Sequence, residues 1–246
     1  FTYVIDQVLS LKPYWDAHPE LHERIRGWIS EGRLEIVGGT WCSPDENLPT
    51  GEALVRQYVA GKRFCRTELG CSPVTAWEID AFGHPAQFAQ IMAGCGMKGF
   101  VFARGVQDWR SASEPLHFKW ESPDGSRITT NWLAAHYIGF TPLMPARELN
   151  LKIFEKEIAA RLEYEGERTD SDIIMFPFGT DFAVPSEDWP AFVDRWNRKS
   201  SPPVSFSLPK NFFEELESRR GGDLPVVRGE LNPLFTGCYE SREKVK

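Results

Sequence analysis

The sequence predicts an α/β fold in which parallel strands alternate with helices that cover the sheet. Three observations carry this expectation. Short apolar runs alternate with segments of helical period along most of the 246 residues, the pattern of repeated βα units. Several runs end in an acidic residue or a glycine, at the strand ends where α/β enzymes place their chemistry. Hydrophobic residues make up 41% and aromatic residues 13%, enough for a substantial core. No internal repeat or low-complexity linker divides the chain, so a single domain is expected over residues 1–246.

The elements follow in order. Phe1 to Ile5 reads as a strand. Pro13 to Ser30 reads as one helix, with Leu21, Ile25 and Ile29 at helical spacing. Arg33 to Val37 is a strand stopped by Gly38-Gly39. Thr50 caps a helix to about Leu69, with Leu54, Tyr58 and Val59 among its apolar positions. Val74 to Ile79 is a buried strand that ends in Asp80-Ala81-Phe82-Gly83-His84, and Pro85 opens a helix to about Ala93. Lys98 to Phe102 is a strand. Phe118 to Glu121 and Arg127 to Trp132 form a hairpin across Ser122-Pro123-Asp124-Gly125. Residues 146–166 read as a charged, solvent-facing helix. Asp172 to Phe178 reads as a buried strand before Gly179-Thr180-Asp181-Phe182. Trp189 to Asn197 is helical, Val204 to Ser207 a short strand, and Asn211 to Arg219 a helix. The tail from Arg228 to Lys246 shows no clear period.

Several function classes are excluded. The formal net charge of -7 is spread without long runs, which leaves no basic face for nucleic acid. No apolar run approaches the roughly 20 residues of a membrane span. Neither GxGxxG nor GxxxxGK[ST] follows a strand, so nucleotide binding has no support. The five cysteines (Cys42, Cys65, Cys71, Cys95 and Cys238) are odd in number and show no CxxC. They read as free thiols of a reducing compartment, which suggests the cytoplasm. The chain starts inside a strand-like run at Phe1, without a signal peptide, so a fragment is expected.

Asp80 leads the candidate residues. A carboxylate at a strand end serves as nucleophile, acid, base or metal ligand, and its bland alternative is a helix cap. Asp181 repeats the arrangement after a later strand. Two such carboxylates at one rim suit glycoside hydrolysis, about 5 Å apart in retaining enzymes and about 6.5–9.5 Å in inverting ones. Asp6 and Asp45-Glu46 also follow strands, and either line a polar pocket or are solvated turns. Arg104 could hold a carboxylate or contact substrate hydroxyls. Trp41, Phe82, Trp109 and Tyr137 are candidate sugar platforms, with core packing as the alternative. His84 fits a loop hydrogen bond better than a metal site. His18 and His22 have the spacing of two ligands on a helix, but they lie inside a connection and no HExxH is present. His117 and His136 have no partner motif.

These motifs together resemble glycoside hydrolase family 38, the class II α-mannosidases. Glu31-Gly32-Arg33-Leu34-Glu35-Ile36-Val37-Gly38-Gly39 with Trp41 and Asp45-Glu46 looks like that family's second strand-and-loop block. Ile79 to His84 is similar to its nucleophile motif. Gly179 to Phe182 resembles a later strand-end motif, and Gly229 to Pro233 with Gly237 to Arg242 resembles the end of its catalytic domain.

The resemblance implies a (β/α)7-type barrel, incomplete here because its first strand is missing. It implies a catalytic domain truncated at both ends, with residues 228–246 starting a linker to a missing helical domain. The implied activity is retaining hydrolysis of terminal α-mannosides through a covalent glycosyl-aspartate intermediate, with zinc assistance. Asp80 is then both nucleophile and zinc ligand, one oxygen on the metal and the other attacking. Asp181 is the best placed general acid, and Trp41, Asp45, Phe82, Arg104 and Tyr137 are substrate-binding candidates. The expected partner is an oligosaccharide or small mannoside, without nucleic acid or membrane, and homo-oligomers are allowed. The family's HxD pair is absent, and its further histidine would lie beyond this chain. Of four expected zinc ligands only Asp80 is present, so the chain alone should bind zinc poorly and be inactive. Two alternatives stand beside this reading. One is a metal-dependent polysaccharide deacetylase, which needs an HxxxH pair that no strand end carries. The other is a non-catalytic carbohydrate-binding barrel.

Overall fold

The computed structural model describes residues 2–106, 115–137, 151–179, 187 and 189–232. Strand β1 (Tyr3–Asp6) pairs in parallel with β2 (Leu34–Val37), with Asp6 opposite Val37. A five-stranded sheet follows. Its order is β3 (Thr75–Glu78), β4 (Gly99–Phe102), β6 (Arg127–Trp132), β5 (His117–Glu121) and β7 (Val226–Arg228). β3, β4 and β6 run parallel, β5 returns antiparallel as the expected hairpin partner, and β7 runs parallel to β5. The Gly38 N–H donates to the Thr75 carbonyl at 2.9 Å and joins the two sheets edge to edge. The carboxyl ends of β1, β2, β3, β4 and β6 therefore share one rim.

The helices are α1 (Val8–Ala17), α2 (His22–Ser30), α3 (Gly51–Phe64), α4 (Phe88–Gly94), α5 (Leu151–Gly166), α6 (Trp189–Lys199) and α7 (Pro209–Arg220). The single helix expected over 13–30 is two helices separated by a tight turn at Pro19–Leu21. Pro19 supplies no amide hydrogen, and it forces His18 out of the helical region to φ -130 and ψ 63. Thr50 caps α3 as expected, its hydroxyl accepting from Ala53 N–H at 3.3 Å. A wider π turn over Cys65–Leu69 extends α3 to Gly70, whose left-handed backbone ends it. No helix among the described residues is long and apolar enough to cross a membrane.

Strand alternation sorts the core onto two faces. Ala76, Phe100, Phe102, Phe118, Trp120, Ile128 and Trp132 meet Leu54 and Tyr58 of α3 and Phe88, Ala89 and Met92 of α4. On the opposite face Val37, Trp77, Val101 and Leu133 meet Phe212, Phe213 and Leu216 of α7. α1 and α2 cover the outer face of β2 through Val8, Leu11, Trp15 and Ile25. Glu35 fixes α7 in place. Its two carboxylate oxygens accept from Thr75 Oγ1 at 2.8 Å and from the Lys210 amide, in the first turn of α7, at 3.0 Å. A closed barrel fills its interior with strand side chains. Among the described residues no closed barrel is seen: the sheet is open, with helices on both of its faces.

Other expectations change in instructive ways. Asp172 to Phe178 is irregular rather than a strand. Its side chains still pack, with Ile173 and Met175 against the α7 cluster and Phe176 and Phe178 against the α6 cluster. The apolar run is half-buried, but among the described residues no strand pairs with it. Val204 to Ser207 is likewise irregular, with no ladder partner among the described residues. The helix expected over 146–166 is described from Leu151 and is not wholly solvent-facing, because Ile158, Arg161 and Glu165 are buried. Val59 is exposed. β7 lies just ahead of the segment read as an aperiodic tail.

α3 also touches the loop after β2 backbone to backbone. A Cβ at Gly61 would lie 2.4 Å from the Thr40 carbonyl carbon and 2.6 Å from the Gly39 oxygen. Gly61→Ala is therefore expected to destabilise the protein by about 1–3 kcal/mol through overpacking. A urea unfolding midpoint equal to that of the wild type would contradict this packing.

Candidate active site

A cleft of about 290 Å³ opens at the rim, lined by Asp6, Gln7, Ser43, Pro44, Asp45, Ile79, Asp80 and Ala81. These residues come from the carboxyl ends of β1, β2 and β3, as strand-end placement predicts. Asp80 leaves β3 two residues after Glu78, and its side chain is 56% exposed. The Arg104 guanidinium, delivered by the end of β4, donates through Nε to Asp80 Oδ1. Among the described residues Oδ2 has no partner. Arg104 also lies over the rings of Phe82 at 5.1 Å and Tyr137 at 6.0 Å. Four residues singled out in the sequence thus meet: Asp80, Phe82, Arg104 and Tyr137. The two rings hold the arginine by cation–π contact.

Asp45 lines the same cleft. Trp41 does not; its indole packs edge to face on Phe64 at 6.1 Å, against the α1 and α3 side. Asp6 lines the cleft from β1. Among the described residues its buried Oδ1 has no partner, and burial pushes its carboxyl up to about 7, opposed by the Gln7 backbone hydrogen bond. Gly38 makes room for it. With φ +78, a side chain there would be strained, and a Cβ would stand 2.7 Å from Asp6 Oδ1. Asp181 and Trp109 lie outside the described residues.

Two buried carboxyls sit beneath the cleft. Glu78, the last residue of β3, is fully buried and accepts from Ser43 Oγ. Burial first, then the neighbouring Glu46 and Asp6 charges, raise it well above the ordinary carboxylate range. Glu46 is raised by burial first and then by Asp45. Both oxygens of Glu46 lie 2.9 Å from His84 Nδ1, while His84 Nε2 lies 3.0 Å from the Arg104 carbonyl. Burial pushes His84 down to about 4. The loop hydrogen bond expected of His84 is present, but Glu46 as its partner and Glu78 were missed. An acidic residue inside a fully buried strand run was the available signal for Glu78.

The other histidines are occupied elsewhere. His18 bonds Glu20 at 3.0 Å, and His22 bonds the Trp15 carbonyl at 2.8 Å and stacks on that indole. The proline turn separates them, so they do not share one helix face. His117 bonds Thr169 at 3.1 Å in a larger cleft of about 420 Å³ near residues 167–171 and 220–225. That cleft contains none of the residues around Asp80.

The model of the glycosyl hydrolases family 38 N-terminal domain matches residues 1–230. The chain belongs to family 38. Mouse alpha-mannosidase 2C1 is 32% identical over 253 residues, covering all of this chain and 23% of that protein. Alpha-mannosidase 2 of Spodoptera frugiperda is 34% identical over 275 residues, covering 94% of this chain and 24% of that protein. The chain thus spans about a quarter of the length of these curated relatives. The crystal structure of an alpha-mannosidase from Enterococcus faecalis V583 superimposes with a TM-score of 0.79 at 22% identity, over 94% of this chain and 26% of that one. That likeness places the mixed α/β fold, with its parallel sheet and helices, among family 38 structures.

Zinc, implied by the sequence resemblance, can be tested against the donors. Among the described residues no three His, Cys, Asp or Glu side chains converge to hold a metal ion. Asp80 offers one carboxylate, and a guanidinium already sits on it. Zinc takes three or four protein donors, so this family 38 chain does not fit a zinc site with its described residues. Titration of the chain with zinc should accordingly show no tight one-to-one binding, and a tight stoichiometric heat would overturn this account.

Asp6 generates a second prediction. Its folded value of about 7 stands above the unfolded value near 3.9. The stability tied to its proton is fully present below about pH 4 and is lost as pH rises through 7. Asp6→Asn removes this dependence, so its stability relative to wild type should climb between pH 4 and 7 and then level off. Parallel pH–stability curves for the two proteins would refute the buried, protonated Asp6.

Proposed function

We propose that the whole protein carrying this chain is a retaining α-mannosidase that hydrolyses terminal α-mannosides, with Asp80 as nucleophile. The observation that carries this reading is the Asp80 carboxylate at the β3 rim, open to the cleft, with one oxygen held by Arg104 and the other free among the described residues. Family membership and the alpha-mannosidase names of the relatives support the substrate class.

The chemistry follows from these groups. Arg104 fixes the carboxylate plane through Oδ1, and Phe82 and Tyr137 fix Arg104. The second oxygen is then presented to the anomeric carbon, and holding a near-attack geometry supplies much of the rate. Attack gives a glycosyl-aspartate and inverts the centre. Water then attacks the same face the leaving group occupied, so two inversions give net retention. Asp181 is the proposed acid that protonates the leaving oxygen and later activates that water. Asp6, protonated up to about pH 7, and Asp45 are placed to bond sugar hydroxyls at the cleft. No step is routed through zinc, whose donors would have to include groups beyond the described residues.

The (β/α)7 closure and the cytoplasmic setting belong to the same proposal. Among the described residues β1 pairs with β2 alone, so its other edge is open to a further strand. The free thiols Cys42, Cys65, Cys71 and Cys95 suit a reducing compartment. The deacetylase alternative has no histidine pair at a strand end, and His18 and His22 have other partners.

The test uses the whole protein. Wild type is expected to release nitrophenol from 4-nitrophenyl α-mannoside and to yield the α-anomer first, as read by proton NMR. Asp80→Ala should lose about 1,000-fold or more in kcat. An inactive wild type, a β-anomeric first product, or an Asp80→Ala variant as fast as wild type would each reject the reading.

A further inference from the structure

The buried pair beneath the cleft has one feature that its burial alone does not explain. His84 reaches Arg104 at its backbone, while Arg104 reaches Asp80 with its side chain. A carbonyl oxygen only accepts, so His84 Nε2 carries a hydrogen. Nδ1 then faces both Glu46 oxygens at 2.9 Å. One proton lies between Nδ1 and the carboxyl, and the pair is electrically neutral whichever side holds it. Neither side chain is exposed at all, and such burial favours the uncharged arrangement. Glu46 is then a carboxylic acid that donates to Nδ1.

The pair is anchored on every side. The His84 N–H donates to Leu231 O at 2.8 Å, and the Leu231 N–H donates back to His84 O at 3.0 Å. The imidazole stands edge-on to Phe100 at 5.2 Å and Phe102 at 5.3 Å. A Cβ at Gly105 would lie 2.9 Å from the imidazole Cδ2 and 2.7 Å from the Leu231 oxygen. The backbone around Arg104 is therefore pressed onto the ring.

We propose that Glu46 and His84 are positioning residues, which fix Arg104 through its main-chain carbonyl so that its guanidinium holds Asp80. This rests on the assignment of Asp80 as nucleophile. A misplacement of about 1 Å can cost about 100-fold in rate, so the effect falls on kcat.

The experiment measures kinetics and crystal structures of whole-protein Glu46→Ala, Glu46→Gln and Arg104→Ala variants. Glu46→Ala is expected to lower kcat at least about tenfold with KM nearly unchanged. Glu46→Gln, whose amide N–H also donates to Nδ1, is expected to recover most of kcat. Adding Glu46→Ala to Arg104→Ala should cost little more, because both act through one contact. The crystal structures should show the guanidinium off Asp80 in Glu46→Ala and on it in Glu46→Gln. A wild-type kcat in Glu46→Ala, an effect on KM alone, a Glu46→Gln variant as slow as Glu46→Ala, or additive losses would overturn the proposal. If Glu46→Ala does not fold, the isosteric Glu46→Gln decides alone: a slow variant whose Arg104 still holds Asp80 refutes it. An inactive wild type rejects the mannosidase reading instead, and the Arg104 positions in the variants still decide this one.

Discussion

The rim of this protein depends on one buried polar contact, the Glu46–His84 pair. Strand ends deliver side chains to a common edge, but the loops that follow them have no ladder to hold them. Here the loop after β2 supplies Glu46, the loop after β3 supplies His84, and the end of β4 supplies the Arg104 carbonyl. A buried donor or acceptor left without a partner costs about 1–3 kcal/mol, so each loop is penalised for leaving the other two. Three independent turns become one rigid body.

The carboxyls beneath the cleft complete that design. Asp6, Glu46 and Glu78 are held away from water and near one another, and burial raises all three. A protonated carboxyl can donate a hydrogen bond that an ionised one cannot. The acid that remains exposed, Asp80, meets a cation instead. The floor of the site is thus neutral while its opening carries paired charge. That difference comes first from burial and then from the neighbouring carboxylates, since the residues concerned are all aspartate or glutamate.

Much of this was legible in the sequence because strand ends are marked by local chemistry. Asp80 stands between an apolar run and a Gly-His-Pro turn, and the hairpin around Asp124-Gly125 has ordinary turn residues. Thr50 announces α3. Other features had no local mark. Asp172 to Phe178 has the composition of a strand, but pairing depends on a neighbour that sequence periodicity does not report. The proline between His18 and His22 was visible, yet the helical spacing of Leu21, Ile25 and Ile29 outweighed it. Trp41 and Tyr137 looked alike as platforms, and tertiary packing sent one to Phe64 and the other to Arg104. Glu46 joins His84 across 38 residues, a distance over which a single sequence offers no periodic cue. The described strands form an open sheet with helices on both faces, because closure depends on pairing at the sheet edges, which sequence periodicity does not report.

The bridge between His84 and Leu231 links positions far apart in the chain. Contacts at such separation form late, because the intervening loop must first be closed. During synthesis the first hundred residues can pair β1 with β2 and β3 with β4 as they emerge. The turn that carries Asp80 cannot lock until residue 231 has left the ribosome and β7 has found β5. A nascent chain arrested before that point would display the whole strand-end motif around Asp80 and lack the clasp that holds it.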